Sequence, residues 1–134
     1  MLTVILIDDL REIAKARLED ATLLFDNKRP DGAFYLGGYA IELALKARIC
    51  QALNWPDFPE KPSEFASLTS FRTHKLDVLL RLSGQEQRIK SEYLWAWSAV
   101  AAWDPEARYR PIGKTPPIDA ALLLIAVSTL LEIL

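Results

Sequence analysis

Along most of this chain apolar residues recur at three- and four-residue steps, and no useful length of it alternates with period two. That periodicity is the signature of amphipathic helices packed on one another. In residues 6–27, Leu10, Ile13, Ala14, Leu18, Ala21 and Phe25 share a face, while residues 2–7 also satisfy a short strand. Residues 27–32 read as a turn with Asp31 as the N-cap of the next helix. Residues 32–54 carry one apolar stripe through Ala33, Leu36, Ala40, Leu43, Ala47 and Cys50, and a second through Phe34, Ile41, Leu45, Ile49 and Leu53. A helix apolar over so much of its girth belongs at the centre of a bundle.

Pro56, Pro59 and Pro62 interrupt the pattern over 55–69, with one helical turn expected near 64–68. Further helices are expected over 72–82, ended by Ser83-Gly84, over 85–103, and over 118–133. Residues 104–117, with Pro105, Pro111, Pro116 and Pro117, form a loop. The sequence therefore predicts an all-α fold, an up-and-down bundle of four to five helices in a single domain over 1–134.

At 134 residues the chain can bury roughly two-thirds of the surface its unfolded form exposes, so no disulfide or metal staple is needed. Sixteen Lys+Arg against eighteen Asp+Glu give a net charge of -2, which argues against a duplex-DNA binder held by bulk electrostatics. One cysteine, Cys50, and one histidine, His74, cannot build a thiolate or imidazole metal cage. The apolar start runs into Asp8 and Asp9 without a basic flank, so it is not read as a secretory signal. The most apolar run, 120–127, falls well short of the ~20 residues that span a bilayer. These features predict a reduced, cytoplasmic chain without metal, cofactor or membrane contact. The final helix is apolar almost all round, so it is either enclosed or meets a second copy, and a homodimer is expected.

Phosphate-loop, GxSxG, HExxH, CxxC and EF-hand patterns are all missing. Cys50 falls on the apolar stripe, where a thiol packs as a small hydrophobe rather than pairing with His74 as a nucleophile. The informative constellation is on the central helix. At about 100° per residue, Tyr35, Tyr39, Glu42 and Lys46 fall within roughly 60° of arc, a polar stripe on an apolar cylinder. A solvated face with a Glu42–Lys46 pair explains it, as does a groove in which tyrosines stack on a base and Lys46 meets phosphate. Gly37 and Gly38, costly in a helix interior, signal close approach of another element or a ligand.

A second candidate region is Trp103-Asp-Pro-Glu-Ala-Arg-Tyr-Arg-Pro111, where Arg108 and Arg110 flank Tyr109. Arginine beside an aromatic grips phosphate and stacks bases, and equally pairs with a nearby acid such as Glu42. The basic lean of 72–90 reads as a solvated face. His74 is placed at the start of the third helix, after Thr73 as its cap.

Several of these residues together resemble the HEPN superfamily. The likeness runs through Leu18-Glu-Asp-Ala-Thr-Leu-Leu-Phe25 and Gly32-Ala-Phe-Tyr-Leu-Gly-Gly-Tyr-Ala-Ile-Glu-Leu-Ala-Leu-Lys-Ala47, then His74-Lys-Leu76 and Trp103-Asp-Pro-Glu-Ala-Arg-Tyr109. It covers nearly the whole chain. The resemblance implies a helical bundle, a homodimer, and nucleotide or RNA binding, often beside a minimal nucleotidyltransferase in toxin–antitoxin and defence systems. Its catalytic members cleave RNA without metal through an arginine and a histidine four to six residues apart. This chain departs there, because its one histidine follows Arg72 by two residues and no arginine stands five to seven before it.

The expected function is thus a non-catalytic HEPN-like dimer that binds a nucleotide or short RNA, or escorts a nucleotidyltransferase. The groove candidates are Tyr35, Tyr39, Glu42, Lys46, His74, Arg108, Tyr109 and Arg110. Two rival readings stand beside it. One is a diverged metal-independent ribonuclease using His74 with Arg108 or Arg110. The other is a structural interaction module in which Glu42 pairs with Arg108.

Overall fold

The computed structural model describes residues 5–58 and 73–134, and these described residues are all-α apart from one pair of two-residue strands. Strand β1 (Ile5–Leu6) leads directly into helix α1 (Ile7–Asp26), which buries Leu10, Ala14 and Ala21. Asn27 ends α1 by turning its side-chain amide onto the Leu23 carbonyl (2.8 Å), and Lys28 takes a left-handed φ of 63°. Helix α2 (Pro30–Ala52) then runs back against α1. It begins at Pro30, whose fixed φ suits the first helical position. Asp31 is therefore inside the helix rather than its cap, which corrects the sequence expectation; Arg29 occupies the cap position.

Helix α2 is 23 residues, about 34 Å, and buries most of its circumference, as its two apolar faces predict. Its end passes into β2 (Asp57–Phe58), which pairs antiparallel with β1 in the register Ile5↔Phe58 and Leu6↔Asp57. The helical turn expected near 64–68 lies outside the described residues, as does Arg72.

Helix α3 (Leu76–Ser83) packs Leu76, Leu79 and Leu80 inward and stops at Gly84 with φ 76°. It starts four residues later than the spacing suggests. Thr73 accepts a bond from Lys75 N (3.0 Å), and Lys75 is extended, so His74 precedes the helix instead of opening it. The single helix expected over 85–103 is two: α4 (Glu86–Glu92) and α5 (Leu94–Val100), broken at Tyr93. No Pro or Gly marks that break. Helix α5 ends at Val100, three residues before the Trp103 ring turns onto α2. Asp104 caps a short 3-10 helix, Pro105–Tyr109, accepting from Glu106 N (2.7 Å). Helix α6 (Pro117–Ile133) closes the bundle against α2, α5 and α1.

The paired glycines are explained by protein packing alone. A Cβ on Gly37 would meet Leu123 and Leu124 of α6 at 2.7 and 2.9 Å, and one on Gly38 would sit 2.1 Å from Trp103 Cδ1. They let α6 and the Trp103 ring reach the backbone of α2, and they give no support to a ligand. No helix among the described residues is long and apolar enough to cross a membrane.

Candidate functional site

The polar stripe of α2 does not lie open to water. Glu42 is 2% exposed, a carboxylate set among the buried residues of the central helix. Its Oε2 accepts from Lys46 Nζ at 3.0 Å and from His74 Nδ1 at 3.0 Å. The first contact follows from helix geometry, one turn along the same face. The second joins residues 32 apart in sequence, brought together where the chain enters α3. Glu42 Oε1 is buried and has no hydrogen-bond partner among the described residues.

Lys46 is held on its other side by Phe58, whose ring centroid is 5.3 Å from the ammonium, a cation–π contact. The β1–β2 pair thus fixes part of the site by holding Phe58 in place. His74 differs from both partners, because its side chain is 60% exposed. The ring turns Nδ1 to Glu42, and Nε2 is the ring nitrogen left for other contacts. Tyr39, one turn before Glu42, is half-buried; burial pushes its hydroxyl pKa upward, and the negative charge of Glu42 adds to that.

The arginine–tyrosine loop meets the other half of the stripe. Arg108 lies over the Tyr109 ring at 4.8 Å, and the side chains of Tyr109 and then Tyr35 raise its pKa, stabilising the charged form. Tyr35 leans on Trp103 with ring centroids 6.2 Å apart, and Trp103 Nε1 donates to the Tyr35 carbonyl at 3.1 Å. Arg110 points elsewhere. Its guanidinium stacks on Phe34 at 5.0 Å and donates to Thr115 Oγ1 at 3.1 Å.

Asp31 completes this anchor, accepting from Gly113 N at 2.8 Å and Thr115 N at 3.2 Å. The Gly113 amide is the main reason its carboxyl sits below the usual range, opposed by some desolvation and aided by Thr115 and Arg110. Asp31 therefore pins the loop to the start of α2, a role that its place beside a helix start does not reveal.

No protein-family model, curated protein or solved structure matches this chain.

The eight candidates thus fall into two clusters, with two residues outside them. Glu42, Lys46 and His74 form one cluster; Tyr35, Arg108 and Tyr109 form another, with Tyr39 between them on α2. Tyr35 and Lys46 are eleven residues apart, about 16 Å along the helix. Arg110 is drawn off to Phe34 and Thr115, and Glu42 pairs with Lys46 and His74 rather than with Arg108. Sequence reasoning missed Phe34, Phe58 and Thr115, which act as supports and carry no motif. Cys50 is fully buried, and desolvation pushes its thiol up to about 11, so it is held as an inert thiol. Among the described residues no group of three or more His, Cys, Asp and Glu could hold a metal ion.

Proposed function

We propose that this chain is a HEPN-like helical bundle that binds a nucleotide or short RNA along the polar side of α2, as a homodimer or as the partner of a minimal nucleotidyltransferase. The observation that carries this reading is the burial of Glu42 with the Lys46 ammonium and the His74 ring gathered on one of its oxygens. Taking a carboxylate out of water costs several kcal/mol and returns little stability beyond what an apolar residue would give. Such a group is retained where it organises others, and here it sets the ammonium of Lys46 and the ring of His74 on one side of the helix. The exposed Arg108–Tyr109 pair, beside Tyr35 at the other end of the stripe and about three turns from Lys46, supplies a cation and an aromatic face. Phosphate suits the first cluster, where Lys46 Nζ and the His74 ring supply donors, and a base suits the second.

Fluorescence anisotropy with labelled ATP, GTP and single-stranded RNA at low salt tests the proposal. Saturable binding, weakened by His74→Ala, Lys46→Ala and Arg108→Ala and unchanged by Lys90→Ala on α4, is the expected result. Absence of saturable binding, or binding indifferent to all three stripe and loop variants, defeats it and leaves the structural-module reading.

The ribonuclease reading has one specific observation in its favour. A buried carboxylate on Nδ1 orients the imidazole and leaves Nε2 free to take a proton, the arrangement of an oriented general base. Incubation with RNA and a chelator decides it. Cleavage that vanishes in His74→Ala establishes that reading, and intact RNA removes it.

A further inference from the structure

Helices α1 and α6 leave a hollow of about 380 Å³ between them, with α2 beneath it. Ala14 of α1 and Ala44 of α2 form its floor, and both are buried. Two methyl side chains are too small to fill the space where three helices meet. Half-buried Leu18 and Leu131 carry the apolar surface up the two walls. Arg11 borders one end, where its guanidinium donates to the Gln51 side chain of α2 and to the Leu134 carbonyl (3.2 Å). Those bonds tie the three helices together, so the hollow is already formed without a ligand. Its volume falls within the range of about 300–1,000 Å³ typical of small-molecule pockets.

The exposed rim carries charge of both signs. Lys15 stands on the α1 wall and Glu132 on the α6 wall, both bordering the hollow, and neither enters an ion pair among the described residues. Ser128, one turn before Glu132, adds a hydroxyl to the same wall. Arg11 is already engaged, which leaves one ammonium and one carboxylate facing each other over an apolar floor.

We propose that this hollow binds an α-amino acid with a large apolar side chain. The carboxylate meets Lys15, the ammonium meets Glu132 with the Ser128 hydroxyl beside it, and the side chain covers Ala14 and Ala44. The paired signs select a zwitterion. An apolar carboxylic acid would bring its charge beside an unmatched Glu132, and an apolar amine would do the same beside Lys15. The floor selects the side chain, because exposed ion pairs alone are worth little in water and burial of apolar surface must supply most of the affinity. None of these residues belongs to the eight of the proposed ligand site on α2, so the two readings stand or fall separately.

Isothermal titration of the full chain with L-leucine and L-phenylalanine tests it. Saturable binding of at least one of them is expected, with glycine far weaker. Leucine should also bind better than 4-methylpentanoate, which lacks the ammonium, and better than 3-methylbutylamine, which lacks the carboxylate. Lys15→Gln and Glu132→Gln, both at exposed positions, should keep the helical circular dichroism and each weaken binding about fivefold or more. Ser128→Phe, which places a ring over the hollow from its rim, should abolish binding. Absence of saturable binding by either amino acid overturns the proposal. So does an acid or amine analogue that binds as tightly as leucine, or binding indifferent to the rim variants.

Discussion

Replacing Gly38 by alanine would put a Cβ 2.1 Å from Trp103 Cδ1 and 2.2 Å from its Cγ and Nε1. An indole ring cannot flex away from that contact as the end of a leucine can. Trp103 is 3% exposed and bonded to the Tyr35 carbonyl, so it must either leave its slot or push α2 and the 103–105 turn apart. Overpacking of this kind costs about 1–3 kcal/mol, and full loss of a buried tryptophan's packing about 3–5 kcal/mol. Alanine returns about 1 kcal/mol of helix propensity. Three ring atoms at 2.1–2.2 Å are too close for a small adjustment, so loss of the ring's packing sets the cost, and the net expectation is a loss of about 2–4 kcal/mol, or roughly 6–20 °C in Tm for a domain of this size. Gly32→Ala is the control, because its Cβ meets only Leu24 Cδ1, the mobile end of a side chain, at 3.1 Å. It should be neutral or stabilising by up to about 1 kcal/mol. Urea and thermal unfolding of the two variants decide the matter. A Gly38→Ala protein as stable as the parent would refute the seating of Trp103 against α2, and with it the placement of the 105–109 turn beside Tyr35.

Glu42→Ala strands Lys46 beside Phe58 and frees His74; stranding a buried charge costs about 3–5 kcal/mol, and because Lys46 keeps 13% of its side chain exposed, urea titration should find the low end of that range. Asp31 has a lowered folded-state pKa, so the stability it lends is present above its unfolded value and is lost as pH falls through the folded one. The acid limb of unfolding should be shallower in Asp31→Asn, and hydrogen exchange at the Gly113 and Thr115 amides should rise. Cys50, buried with its thiol near 11, should resist a disulfide reagent at neutral pH until the protein unfolds; fast labelling of folded protein would contradict its core position.

Periodicity made α1, α2 and α6 readable because each pairs a long apolar stripe with few competing signals. The bounds went wrong where a local rule had two solutions. Asp31 is a good cap residue, but Pro30 starts the helix earlier and releases Asp31 to hold Gly113 and Thr115. Thr73 has a capping hydroxyl, yet the chain stays extended through Lys75, and that extension brings His74 to Glu42. The break at Tyr93 has no local cause in residue type. For the candidate site, the stripe on α2 was legible from angular spacing alone, since it needs only helix geometry. Its burial was not, because the covering residues His74 and Phe58 are distant in sequence. The loop arginines illustrate the same limit: Arg108 and Arg110 look equivalent in sequence, and only tertiary packing sends one to Tyr35 and the other to Phe34.

Whether the polar side of α2 meets a ligand is read directly by chemical-shift mapping. Isotope-labelled protein titrated at low salt with a nucleoside monophosphate and then a short oligouridylate should show saturable shifts at His74, Tyr39, Tyr35 and Arg108, and little change along α6. Spectra that do not move with either probe, or shifts confined to surfaces away from α2 and the 105–109 turn, would contradict it.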